Sequence, residues 1–161
     1  GGALNAARVA LRCSLTQKGH HMIIDKALQV SNEQAVTSSA ASTDVIDTGQ
    51  VTSDLGATGQ LALVITTDEA ATASGAATVT FSLQDSADNS SFADVAVTVA
   101  IGKATLVAGY QHVIPLPTRL RRYIRAYYTV ATGPLTAGKF SAQIVAGFQQ
   151  NVPKPDSSRI A

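Results

Sequence analysis

Three histidines, one cysteine and a knot of arginines are the residues of this 161-residue chain whose types invite chemistry. His20 and His21 are adjacent, and adjacent residues point to different sides of a helix or a strand. A metal triad with His112 would therefore need a tertiary coincidence, and three solvated or edge histidines is the plainer reading. Cys13 has Arg12 and His20 nearby, and positive neighbours lower a thiol pKa. No G-x-S-x-G elbow occurs, however, and no nucleophile–base–acid set is visible in the spacing, so Cys13 reads as inert. "DSADNSSF" offers Asp85, Asp88 and Asn89 but lacks the alternating order and distant Glu of a calcium loop; it reads as a hairpin loop. Asp68 and Glu69 run into "AATASGAA", a flexible-loop composition, with no partner carboxylate in view. No glycine pattern that cradles phosphate is present. The expectation is a protein that is not an enzyme and that holds no metal and no cofactor.

The sharpest charged feature is "TRLRRYIR", which carries Arg119, Arg121, Arg122 and Arg125. Guanidinium groups pair bidentately with phosphates or carboxylates. Nucleic acid is the weaker choice of target. Beyond residue 21 the chain has nine basic and eleven acidic residues, it has no Trp, and only Tyr123 and Tyr127 stand near the cluster as stacking platforms. Acidic groups of a protein partner, or of the chain itself, fit better. A glycan site would have to draw on Tyr110, Tyr123 and Tyr127 with Asp85 and Asp88. That is the alternative function: a β-module that binds a glycan.

Composition points the same way. Charged residues are 14% of the chain, against about 25% in a typical domain. The surface must be built from Thr, Ser, Ala, Gln and Gly, and such a surface meets another protein with little charge to desolvate. One cysteine allows no intrachain disulfide, which suits a reducing compartment or an intracellular assembly. No apolar run approaches the roughly 18 residues of a membrane span, and Arg8 and Arg12 break any secretory signal.

The elements that would position these residues are mostly strands. Residues 1–21 stand apart: Leu4, Ala7, Arg8, Leu11 and Leu15 recur at helical spacing, and the segment carries Arg8, Arg12 and Lys18 with no acid. "MIIDKALQV" from Met22 reads like a natural protein start, so residues 1–21 are an arm or a non-native extension. An arm of this kind is expected to lie on a protein surface through Leu4, Val9, Leu11 and Leu15. From residue 36 the signals are β. "GQLALVITTDE" suits a strand covered on both faces. "AATVTFSLQDS" sets Val79, Phe81 and Leu83 against Thr78, Thr80, Ser82 and Gln84. "FADVAVTVA" alternates through Val95, Val97 and Val99, and Pro115 and Pro117 favour an edge. "YIRAYYTVATGPLTAGKFSAQIV" reads as a hairpin about a Gly-Pro turn. Its first half buries Ile124, Ala126, Tyr128 and Val130 and shows Tyr123, Arg125 and Tyr127. Its second half, continued to residue 148, buries Phe140, Ala142, Ile144, Ala146 and Phe148. Seven or eight short strands without a body helix predict an all-β antiparallel sandwich or jelly roll. Phe81, Ile124, Tyr128, Phe140, Ile144 and Phe148 are its expected core, residues 22–150 its domain and residues 151–161 a C-terminal strap.

Three stretches also carry a resemblance. "MIIDKALQVSNEQAVTSSAASTDVIDTG", "FSLQDSADNSSFADV" and "IPLPTRLRRYIRAYYTVATGPLTAGKFSAQIV" resemble the capsid cement, or decoration, proteins of short-tailed phages of the Bordetella-phage type. The likeness covers residues 22–150, and residues 1–21 depart from it. It implies a jelly roll, often paired as a homodimer, on the exterior of an icosahedral virion assembled in the host cytoplasm. Its partner would be the major capsid protein, with no membrane, nucleic acid or cofactor involved. Arg119, Arg121, Arg122 and Arg125, with the four apolar arm residues, are the expected partner-binding side chains.

Overall fold

Alternating side chains bury one face of a strand and wet the other, and the chain repeats that device in several of its strands. The computed structural model describes residues 25–147, apart from residue 58. A single 3-10 turn, Lys26–Leu28, precedes the strands; its Asp25 cap accepts the Ala27 N–H at 3.0 Å. The strands are β1 (Gln29–Ala35), β2 (Ala40–Ala41), β3 (Ile46–Ser53), β4 (Leu61–Thr72), β5 (Thr78–Ser86), β6 (Ala93–Val97), β7 (Ile101–Gly102), β8 (Gln111–Pro115), β9 (Leu120–Ala131) and β10 (Ala137–Ala146). Eight of them are longer than two residues, in line with the expectation from sequence.

They form two antiparallel sheets. One has the order β1-β10-β4-β8. The other has the order β2-β9-β5-β6, with β3 also on β9 and β7 also on β5. The protein is thus an all-β sandwich. The core between the sheets holds Leu63, Ile65, Val79, Phe81, Leu83, Ile124, Tyr128, Phe140 and Ile144, all buried. Its centre is aromatic: Phe81 meets Tyr128 and Phe140 edge-on at centroid distances of 5.9 and 5.5 Å, and Tyr128 stacks on Phe140 at 5.6 Å. The Tyr128 hydroxyl cannot reach water and shares a 2.7 Å hydrogen bond with Ser31 Oγ on β1. Five of the six expected core residues are therefore in place; Phe148 lies outside the described residues.

Several expectations need correction. β9 and β10 are not a hairpin: β9 pairs with β2, β3 and β5, β10 pairs with β1 and β4, and the Gly-Pro connection crosses from one sheet to the other. Thr132 (φ 62°) and Gly133 (φ 107°) give that connection its left-handed bend. Regular structure begins earlier than residue 36, because the polar stretch "QVSNEQA" is β1. Ala146 is exposed rather than buried. Gly49 sits at φ 73° inside β3, where the register with β9 slips. By contrast β4 is buried on both faces from Ala62 to Ile65, and β8 ends at Pro115 on an edge, as expected.

Candidate partner-binding face

The outer face of the six-stranded sheet is where the arginine cluster lands. Along β9 the residues that alternate with the core are Tyr123, Arg125 and Tyr127. Across the ladder they stand opposite Ser86, Gln84 and Ser82 of β5. Ser82 in turn faces Val97 of β6, and Gln84 faces Asp94. The result is a surface of two half-buried tyrosines, one arginine, Gln84 and a valine, with Ser82 and Ser86 buried beneath them.

Arg125 is the best-built residue on it. Its guanidinium lies 3.7 Å from the centroid of the Phe92 ring and 5.8 Å from that of Tyr127. Its Nε donates to Gln84 Oε1 at 2.8 Å, and Gln84 Nε2 donates to Asp94 Oδ1 at 2.9 Å. No carboxylate touches the guanidinium directly among the described residues. Partial burial pushes its pKa down; a guanidinium stays protonated in proteins. A stacked, pre-oriented cation with no carboxylate in contact is the kind of group that anchors protein interfaces.

The other three arginines are used differently. Arg121 covers a buried carboxylate from the rim: its backbone N–H and Nε donate to the Asp85 carboxylate at 2.9 and 2.8 Å, and Nη2 donates to the Asp85 carbonyl at 2.8 Å. The Asp85 side chain is only 6% exposed, so this pairing belongs to the fold. Arg122 makes a two-pronged bond to Asp47 at 2.7 and 2.8 Å on the surface. That bond, with the Gly49 N–H, holds the Asp47 carboxyl at about 2. Arg122 also lies 5.1 Å from the Tyr123 ring centroid. Arg119 is exposed at φ 63°, with no hydrogen bond or ion pair among the described residues. Leu4, Val9, Leu11 and Leu15 lie outside the described residues.

The acids of the glycan reading are not brought to one surface with its tyrosines. Asp85 is turned inward to Arg121. Asp88 is engaged by its own loop, accepting from Ser86 Oγ and from the N–H groups of Ser90 and Ser91, which holds it at about 2. Tyr110 sits beside the other sheet, next to His112 of β8, while Tyr123 and Tyr127 are on β9.

Sequence reasoning missed Phe92 and Gln84, the two residues that hold Arg125. The hairpin register supplies the signal: β5 and β6 pair around "DSADNSSF", so the end of that loop returns beside Gln84. It also left open which way the valines of β6 point. A register slip between Leu83 and Gln84 leaves Val95 out of the alternation; Val95, Val97 and Val99 are all exposed, Val99 by 80%.

An all-β sandwich with an aromatic and cationic outer sheet face is the class of protein these features define. The chain belongs to the Bbp16 family, whose model matches residues 30–144. The family name points to a protein of a Bordetella phage. No curated protein matches the chain.

Proposed function

We propose that this protein is a structural virion component that binds the outer surface of an icosahedral phage capsid, where it clamps neighbouring subunits of the major capsid protein and pairs with a second copy of itself. It acts through surface area and geometry rather than through a reaction. Membership of a phage family across residues 30–144 carries the reading. The fold supports it. With β2 and β3 taken as one strand and β6 and β7 as another, the sheets run 1-8-3-6 and 2-7-4-5, the winding of a jelly roll. The outer face supports it too: Arg125 stacked on Phe92 beside Tyr127 is an anchor group with Tyr123 on the same face, while the valines of the β6 edge offer apolar area to a second copy. Many weak contacts suffice when copies are displayed on a lattice.

The test uses capsids assembled without this protein. The purified chain is expected to co-sediment with them, and Arg125→Ala to weaken attachment without lowering the urea midpoint by more than a few tenths of a molar. Failure of the unaltered chain to attach overturns the capsid assignment. Analytical ultracentrifugation reads the pairing separately; a specific dimer should bury roughly 1,200–2,000 Å² in total.

A further inference from the structure

The outer face of the four-stranded sheet is dry where a solvated face should be wet. Val64 stands opposite Gln143 of β10 and Val113 of β8, and Gln143 stands opposite Gln29 of β1. Beside this row, Ala62 stands opposite Val145 and Pro115. Ala62 is 0% and Val64 4% exposed, yet neither belongs to the core cluster between the sheets, which takes Leu63 and Ile65 from the same strand. Alternation therefore puts Ala62 and Val64 on the outward side. Gln143 is 7% exposed, and its Oε1 is buried without a hydrogen-bond partner. Both sheets are already committed to the sandwich, so none of the ten strands lies over this face.

We infer that this face is the docking surface of the chain's own N-terminal segment, with Met22, Ile23 and Ile24 as its apolar anchors. The path of the chain selects that occupant. Asp25 leads through the 3-10 turn, which packs on β10, into Gln29 at the end of the Gln29–Gln143–Val64–Val113 row. Asp25, four residues ahead of Gln29, is thus delivered to the edge of this face by a turn that packs on β10. Reach is sufficient: an extended residue spans about 3.3 Å and neighbouring strands lie about 4.8 Å apart, so three residues cross from β10 to β8. Composition agrees. Met22, Ile23 and Ile24 are three consecutive apolar residues, with Leu4, Val9, Leu11 and Leu15 upstream. The other end of the chain, residues 148–161, leaves from Gly147 beside Gln60 and carries Phe148, Val152 and Ile160 among prolines and polar residues. Gln29 is satisfied by Lys26 and Asn32. Gln143 is the group left waiting for a donor, and the backbone N–H of an extended segment is one. The inference concerns the sheet opposite Arg125 and holds whether or not that other face meets a capsid.

The experiment reads cover over Val64 in the full chain. In a Cys13→Ser background, Val64→Cys gives a single thiol under the proposed cover; Val113→Cys is a second, less buried probe should the first perturb packing. Maleimide labelling under native conditions is expected to be slow, to accelerate at least tenfold on adding Ile23→Asp with Ile24→Asp, and to stay slow with Phe148→Asp. A cooperative urea transition in each variant checks the fold. Fast labelling of the parent overturns the inference, as does a rate indifferent to the two aspartates. Acceleration by Phe148→Asp alone assigns the cover to the C-terminal segment, and a rate that rises on dilution assigns it to a second copy; either result also overturns it.

Discussion

Arg121→Ala should destabilise the sandwich, and the size of the loss can be worked from the pairing. The change removes the Nε and Nη2 donors from an Asp85 carboxylate that is 6% exposed, leaving it the Arg121 backbone N–H at 2.9 Å. Breaking a fully buried ion pair costs about 3–5 kcal/mol. The Arg121 side chain is 38% exposed, however, so truncation admits water to the carboxylate and the figure must be discounted. Hydrogen bonds to charged groups contribute about 1.5–3 kcal/mol, and that is the expected loss. With a urea m-value of about 2 kcal/mol per molar, the midpoint falls by roughly 1 M. A double-mutant cycle with Asp85→Ala isolates the pair: the double variant should be more stable than the two single losses predict by at least about 1 kcal/mol. Additive effects, or a single-variant loss below about 0.5 kcal/mol, would sink the argument. This result decides how attachment assays are read, because loss of binding by an Arg121 variant would report on the fold and not on a contact.

Burial holds the Tyr128 hydroxyl up at about 12, against an ordinary value of about 10. The neutral form is the one the fold favours, so this contribution is intact below pH 10 and is lost as pH rises from about 10 to about 12. It amounts to about 2–3 kcal/mol, read as a steeper alkaline loss of stability in the parent than in Tyr128→Phe; parallel curves count against it. A Cβ on Gly56 would strike the backbone carbonyls of Leu116 and Pro117, which cannot rotate away. Gly56→Ala should cost about 1–3 kcal/mol, and an unchanged thermal midpoint would show that the loop yields freely. Arg125→Lys keeps the charge but loses the planar stack on Phe92, so capsid attachment should fall nearly as far as with Arg125→Ala; full retention would mean charge alone matters.

What the sequence reveals about this fold is faces rather than neighbours. Val79, Phe81 and Leu83 on β5, and Ile124, Ala126 and Tyr128 on β9, announce their buried side because period two is a local property. The same alternation on β9 and β10 suggested that they pair, yet they are in opposite sheets. Which strand lies alongside is set by the turn and by tertiary packing, and Thr132 and Gly133 decide it through φ values that their letters do not display. β1 carries little β signal because Asn32, Glu33 and Gln34 follow one another in it and its bulges break the period. Within the candidate site, the outward set Tyr123, Arg125 and Tyr127 was legible from β9 alone. The division of labour among the arginines was not, since Asp85 and Asp47 are 36 and 75 residues away from their partners.

The neighbouring placement of β1 and β10 has a mechanical corollary. They run antiparallel, with Gln29 opposite Gln143, so both ends of the described chain emerge at the same end of the same sheet. Tension applied between those ends would open the β1–β10 ladder one rung at a time, as a zipper opens. Tension applied in the plane of a sheet, along its strands, would load many rungs in parallel. The described sandwich is therefore soft when pulled by the start of β1 and the end of β10, and stiff when strained through its sheets. A protein of this build that resists an expanding shell would have to be gripped by its faces.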